Sequence, residues 1–240
     1  INRAPNIRLF TQSIHHKLAE EKERLSRFKI SFYIASFLLL IYAAYFIFMF
    51  ELTTKLHRDR MADELLTAQA VQETLFPPPL ASIDNVHIAG FYQPASECGG
   101  DWWFYHQTPG KIFFWIGDAT GHGVSAALVT AAARSCAAII EERSITSPAE
   151  ILRLLNRSIY DTSKGKMMMT FFVGHLEIDS NTFTYANACH EPPIVIGPNT
   201  SRWDQLLFLD EVNGSRLGQD LDSKYQETTV KISARSRLFF

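Results

Sequence analysis

Two aspartates have the neighbours that chemistry needs. Asp101 follows Gly99-Gly100 and precedes Trp102-Trp103. Asp118 follows the apolar run IFFWIG at 112–117 and opens the loop Asp118-Ala119-Thr120-Gly121-His122-Gly123. A carboxylate at a strand end, beside glycines, can lie in a cleft with backbone carbonyls within reach. Hard cations such as Mg2+ and Mn2+ take that set of carboxylate and carbonyl oxygens, with water completing the octahedron. The glycines let the loop turn tightly and let a ligand approach the backbone. A plainer alternative is that Asp118 N-caps a helix starting near Val124 and the glycines form an ordinary turn.

The elements that would position these residues follow from periodicity. Residues 86–92 (VHIAGFY) and 112–116 (IFFWI) read as strands. Residues 124–142 are almost wholly Ala, Val, Leu and Ile, with Arg134 the only charge before Glu141, and read as a buried helix. Residues 148–160 form an amphipathic helix with Ser147 as its N-cap. Strands are predicted at 169–178, 182–187, 193–196, 227–232 and 237–240, with Asp179-Ser180-Asn181 as a hairpin turn. Strands, two helices, then more strands fit an α+β domain over residues 77–240 rather than an alternating βαβ one.

Upstream the chain changes character. Residues 30–50 are 21 consecutive residues without a formal charge. A helix of that length spans about 30 Å, the hydrocarbon thickness of a bilayer. The stretch holds no Gly or Pro, and core helices rarely run so long with every face apolar. Residues 30–50 are therefore predicted to be a transmembrane helix in contact with membrane lipid, behind a charged N-terminal segment at 1–29. No small-residue cleavage site follows, which disfavours a signal peptide. Residues 10–29 carry five Lys and Arg and residues 51–70 carry three, so the charge rule leans toward a cytoplasmic N-terminal side. Residues 51–76 lack Gly and Pro and read as a juxtamembrane linker helix, stopped by Pro77-Pro78-Pro79. Met61, Leu65, Ala68, Gln72 and Leu75 mark a short heptad seam. Such a seam can form a homodimer, or it can pack the helix on its own domain.

The charge balance is uneven along the 240 residues. Residues 1–60 hold 10 Lys and Arg against 5 Asp and Glu, a net of +5; the remainder hold 13 against 20, a net of −7. An acidic C-terminal part argues against nucleic acid as a partner. Three widely spaced cysteines, Cys98, Cys136 and Cys189, exclude a disulfide scaffold and a CxxC metal site. The chain begins with Ile1 rather than Met, the mark of a fragment or a processed chain.

Taken in order, the motifs form a constellation. QETLFP runs from Gln72 to Pro77, GGD from Gly99 to Asp101, and GDATGHGV from Gly117 to Val124, followed by Ala126-Ala127-Leu128. MTFF begins at Met169, YANACH ends at His190, Pro192-Pro193 follow, and Leu217-Gly218 come last. This order resembles the bacterial PPM-type, PP2C-like serine/threonine phosphatases of the SpoIIE/RsbU group, over about residues 65–240. The resemblance implies a β-sandwich of two antiparallel sheets flanked by helices, with two Mn2+ or Mg2+ ions at one end. Asp118 matches the acid that bridges the metals, Ala119 lends a backbone carbonyl, and Asp101 is a direct or water-mediated ligand. A water between the metals attacks phosphorus in line, so no side chain serves as nucleophile. Gly100 belongs to the same GGD element, and Thr170 supports the metal loop from a central strand. His122 and His190 stand at motif positions where either could act as an acid or order its turn.

Three departures bear on this. A second Asp usual in GGDxxD is Phe104 here, and NAGHNPP reads with Cys189 for Gly and Glu191 for Asn. Residues 236–240 match the strand that runs into a (T/S)DG motif carrying the third metal acid, and the chain stops before it. The expectation is that the native chain continues. The function implied is a membrane-anchored phosphoprotein phosphatase of the bacterial cytoplasmic membrane. Its domain would face the cytoplasm and act on a small STAS-type anti-anti-sigma protein. The alternative is a non-catalytic membrane-bound module that binds the same partner. A phosphate-loop nucleotide site is disfavoured, because no GxxxxGK[ST] pattern is present.

Overall fold

The computed structural model describes residues 4–94 and 98–240, so the first three residues of the charged N-terminal segment lie outside it. The chain divides into two compact units, Ile1–Ala62 and Asp63–Phe240. Helix α1 runs Ala4–Glu73 without a break. The first unit, over its described residues, is therefore one helix, and its apolar side chains between 30 and 50 are exposed, Phe37 and Leu40 among them. This helix is long and apolar enough to cross a membrane.

Helix α1 ends at Glu73, three residues earlier than the expected 76. The cause lies in Pro77, which has no N–H to offer the carbonyl four residues back and whose ring clashes with it. A turn then leads the chain out, with Leu75 N–H donating to Gln72 O at 2.9 Å.

The second unit opens with a small hairpin, β1 (Leu80–Ile83) and β2 (Val86–Ala89). The strand expected at 86–92 stops at Ala89. The larger sheet takes β3 (Asp101–Thr108), β4 (Lys111–Ala119), β5 (Met169–Glu177), β6 (Thr182–Ala188) and β9 (Thr228–Lys231), in the order β3-β4-β5-β6-β9, all antiparallel. A second sheet joins β10 (Arg237–Phe239), β7 (Ile194–Ile196) and β8 (Leu207–Phe208) in the order β10-β7-β8. Helices α2 (Val124–Glu142) and α3 (Pro148–Ser163) complete the unit.

Alternation along the strands makes the layers. On β4, Phe113, Trp115 and Ala119 face a core shared with α2 and α3, which supply Val129, Ala133, Leu152 and Leu155. The alternate residues Phe114 and Ile116 face a second core with Phe172, Tyr185, Val195 and Leu238. Period-two alternation on a sheet buried on both faces gives this sandwich, with the helices covering one outer face. The expected α+β sandwich of two antiparallel sheets with flanking helices is the observed architecture.

Three features add to or correct the expectations. Strand β3 was not anticipated from the sequence, because Asp-Trp-Trp-Phe-Tyr-His is polar at alternate positions only in part. Helix α2 is not buried all round: Ala126, Val129, Ala133 and Ile140 are buried, whereas Val124, Leu128 and Ile139 are exposed. The lower part of the heptad seam serves its own domain, since Gln72 is buried and Leu75 packs against the helix-side core.

Candidate functional site

The register of the large sheet brings the predicted residues into one row. Asp101 on β3 lies directly opposite Asp118 on β4, and Asp118 lies directly opposite Thr170 on the central strand β5. Directly opposite residues hold their β-carbons about 5 Å apart on a shared face. Asp101 and Asp118 thus point the same way at the strand ends, on the face away from α2 and α3. Both are exposed at the end of the sandwich. Asp118 is not a helix cap, because α2 is capped by Gly123 with no side-chain hydrogen bond. The φ of +73° at Gly123 is one that residues with a β-carbon rarely adopt.

Gly100 permits a close approach. A β-carbon there would stand 2.5 Å from the Ala119 carbonyl oxygen and 3.2 Å from Asp118 Oδ1. Two oxygens thus lie against the bare Cα of Gly100 beside the Asp101 strand end, where a side chain would crowd them. Backbone pairing holds the geometry, with Ala119 N–H donating to Gly100 O at 3.1 Å. Burial, then the charge of Asp101 and a hydrogen bond with it, push the Asp118 carboxyl above its ordinary pKa. Two facing carboxylates and a carbonyl are the donors a hard divalent cation takes, and its charge would relieve their repulsion. The residues therefore fit one such ion with water completing its shell. Among the described residues no three His, Cys, Asp or Glu side chains converge to hold a metal.

The loop after Asp118 is pinned to the approach to β5. Thr120 N–H donates to Met168 O at 2.8 Å, and Met168 N–H donates to Thr120 Oγ1 at 3.0 Å. His122 on this loop is exposed, and its carbonyl accepts from Ser125 Oγ at 3.5 Å. His190 instead meets the row, its Nδ1 lying 2.8 Å from Thr170 Oγ1. Burial lowers the His190 pKa, opposed by the charges of Asp101 and Glu191.

Sequence reasoning missed two residues that build the site. Asn187 is 3% exposed and brackets the turn: its Oδ1 accepts from His190 N–H at 2.8 Å and its Nδ2 donates to His190 O at 2.9 Å. Gln72 lies beside the Gly-Gly-Asp turn. Both stood within quoted motifs, and for Asn187 a polar residue framed by Ala186 and Ala188 was the available signal. Phe104 lies on the helix-side face, stacked with Trp102 at 6.0 Å and covered by the Arg134 guanidinium at 4.1 Å. It is therefore on the opposite face of β3 from Asp101.

Comparison with known proteins agrees with this architecture. The sequence profile of the family described as "Stage II sporulation protein E (SpoIIE)" matches residues 108–240. The phosphoserine phosphatase RsbU of Bacillus subtilis (strain 168) is 28% identical over 170 residues, covering 71% of this chain and 49% of RsbU. The phosphoserine phosphatase RsbP of the same organism is 28% identical over 183 residues, covering 73% and 43%. The chain thus spans about half or less of the curated relatives it matches. Among solved structures, the SiaA-PP2C domain of Pseudomonas aeruginosa superposes with a TM-score of 0.60 at 18% identity, covering 75% of this chain and 71% of that one. The RsbU and RsbW domains of Rv1364c from Mycobacterium tuberculosis give 0.52 at 22% identity, covering 60% and 39%. At these identities the structural likeness speaks for the fold.

Proposed function

This chain belongs to the SpoIIE family of PP2C-like phosphatases, and on that premise we propose that it is a metal-dependent phosphoserine/phosphothreonine protein phosphatase in a signalling pathway. The observation that carries the reading is the Asp101–Asp118 pair, facing across β3 and β4 beside Gly100 and the Ala119 carbonyl. The names of the curated relatives, both phosphoserine phosphatases, support the substrate class.

Asp118 and the Ala119 carbonyl hold a Mn2+ or Mg2+ ion, with Asp101 as a direct or water-mediated partner. When bound, the ion supplies Lewis acidity and neutralises charge on the phosphoryl oxygens. The family expectation is two such ions; the described residues offer donors for one. The chain's own groups do the rest. Asp101 accepts a hydrogen from water on the open face and orients it. Thr170 is fixed on the central strand and holds His190 through Nδ1. With Thr170 donating to Nδ1, Nε2 carries the ring proton and can donate to a bound phosphoryl oxygen. Gly100 keeps side-chain bulk away from the Ala119 carbonyl and the Asp118 carboxylate.

The phosphoprotein is a STAS-type anti-anti-sigma factor in this reading, as the family resemblance implies. Such a substrate is cytoplasmic, which sets the catalytic unit on the cytoplasmic side with residues 30–50 in the bilayer. Exposed Met61 and the half-exposed Leu65 leave the upper part of the seam available to a second copy.

A second reading, a non-catalytic binding module of the same fold, is favoured by one observation: among the described residues just two carboxylates meet at the sheet end. Phe104 lends it little, because an acid there would face the helices. The deciding test is Mn2+-dependent phosphate release from a phosphoserine peptide by the full chain in detergent micelles, beside Asp118→Asn. We expect metal-dependent release in the wild type, reduced at least 100-fold in the variant. A folded wild type that releases no phosphate at any Mn2+ concentration would transfer the assignment to the binding module.

A further inference from the structure

Gln72 sits on the last turn of α1 yet is 4% exposed. Both ends of its amide are engaged. Nε2 donates to Gly99 O at 2.7 Å and to Thr130 Oγ1 at 3.3 Å. Oε1 accepts from Gly99 N–H at 3.1 Å and from Tyr92 OH at 3.4 Å. The side chain therefore pairs with both the N–H and the C=O of one glycine, as a neighbouring strand would. Gly99 lies just before the ladder of β3, which starts at Asp101. The amide of Gln72 thus does for Gly99 what a neighbouring strand would do, where no strand among the described residues pairs with it.

Gly99 is the residue from which the turn enters Gly100 and Asp101. Its neighbours on either side of the pairing are tied as well. Trp102 Nε1 donates to Leu75 O at 3.1 Å, and Thr130 Oγ1 donates to Ala127 O at 2.8 Å on α2. Gln72 therefore joins the end of α1, the Gly-Gly-Asp turn and α2 through one planar group.

We infer that Gln72 is a positioning residue of the candidate site: its amide fixes the path of Gly99-Gly100 and, through it, the Asp101 carboxylate and the approach of Gly100 to the Ala119 carbonyl. The inference rests on the metal-dependent reading proposed above for what the positioned groups bind. Removing a partner that orients a ligating group typically weakens metal affinity by about 10- to 100-fold.

Two variants of the full chain in detergent micelles test it. Gln72→Leu keeps the volume and loses every hydrogen bond. Gln72→Glu keeps the acceptor for Gly99 N–H and loses the donor. The readouts are Mn2+ affinity by calorimetry and amide hydrogen exchange at residues 99–101 and 119, with β6 as the internal reference. Faster exchange at 99–101 with β6 unchanged, and Mn2+ affinity lowered about 10- to 100-fold, more in Leu than in Glu, is the expected result. Exchange at 99–101 like that of the wild type, in a variant with a native circular dichroism spectrum, would overturn it. If Gln72→Leu does not fold, Gln72→Glu decides by the same readouts. If the wild type binds no Mn2+, the phosphatase reading fails separately, and the exchange data alone decide the role of Gln72.

Discussion

Cys189 shows how a single backbone angle explains a motif. Its φ is +60°, in the left-handed region, and its N–H donates to Asn213 Oδ1 at 2.8 Å. The related motif has glycine at this point because a β-carbon there costs about 1–2 kcal/mol. The strain is outweighed by the Asn187 bracket that closes the turn on both sides of His190. Cys189→Gly relieves the strain and gives back part of the gain through a more flexible unfolded chain. The expected net effect is a stabilisation of about 0.5–1 kcal/mol. Urea denaturation reads it directly, and a destabilised variant would show that the Cys189 side chain makes contacts worth more than the strain. Gly100 stands at the other extreme, since only its bare Cα fits against the Ala119 carbonyl and Asp118.

The elements differ in how much of themselves the sequence carries. Helix α3 carries all of it: Ser147 caps, Pro148 opens, and Ile151, Leu152, Leu155 and Ile159 line one face. Ser147 Oγ also reaches beyond its helix, accepting from Glu150 N–H at 3.3 Å and donating to Glu227 Oε2 at 2.6 Å. Ser147→Ala should therefore cost about 1–2 kcal/mol, the upper part of the capping range. A thermal midpoint unchanged from wild type would mean that Glu227 caps α3 alone, through its contact with Ala149 N–H. Strand β3 was not legible, because its two faces meet different partners. Trp102 and Phe104 join the helix-side core, while Asp101, Trp103 and Tyr105 face the other way. No alternation of polarity survives when both faces are aromatic. Pairing with β4 defines it as a strand, and that pairing also brings Asp101 opposite Asp118.

At the scale of the whole molecule, acid sensitivity is built into the helix-side core. His106 stacks on Phe113 at 4.6 Å and accepts from Trp115 Nε1 at 3.1 Å. His175 packs on Phe113 at 4.9 Å, with Lys111 Nζ 3.3 Å from its Nε2. Burial, aided by the charge of Arg134, lowers His106 to about 4; burial, aided by Lys111, does the same for His175. In the unfolded chain both rings titrate near 6.5. Above that pH both states hold neutral rings and the stability is full. Between about 6.5 and 4 the unfolded chain takes up protons first, so stability falls as the pH falls. Thermal midpoints measured from pH 7.5 to 4 should decline through this window, and His106→Gln should flatten the decline. An equally steep decline in that variant would assign the acid sensitivity to other groups.

The apolar run at 30–50, the α3 helix and the order of the motifs were all legible in the sequence, because each depends on residues close along the chain. A run of uncharged side chains, an N-cap and a glycine-rich loop declare themselves locally. The meeting of Asp101 with Asp118 and of Thr170 with His190, and the hold of Gln72 on Gly99, join residues 17 to 27 positions apart. Those contacts depend on strand register and on which face each residue takes, and one step of register would have sent the two carboxylates to opposite sides of the sheet. Sequence determined which residues could do chemistry; the packing of β3 against β4 and β5 decided which of them do it together.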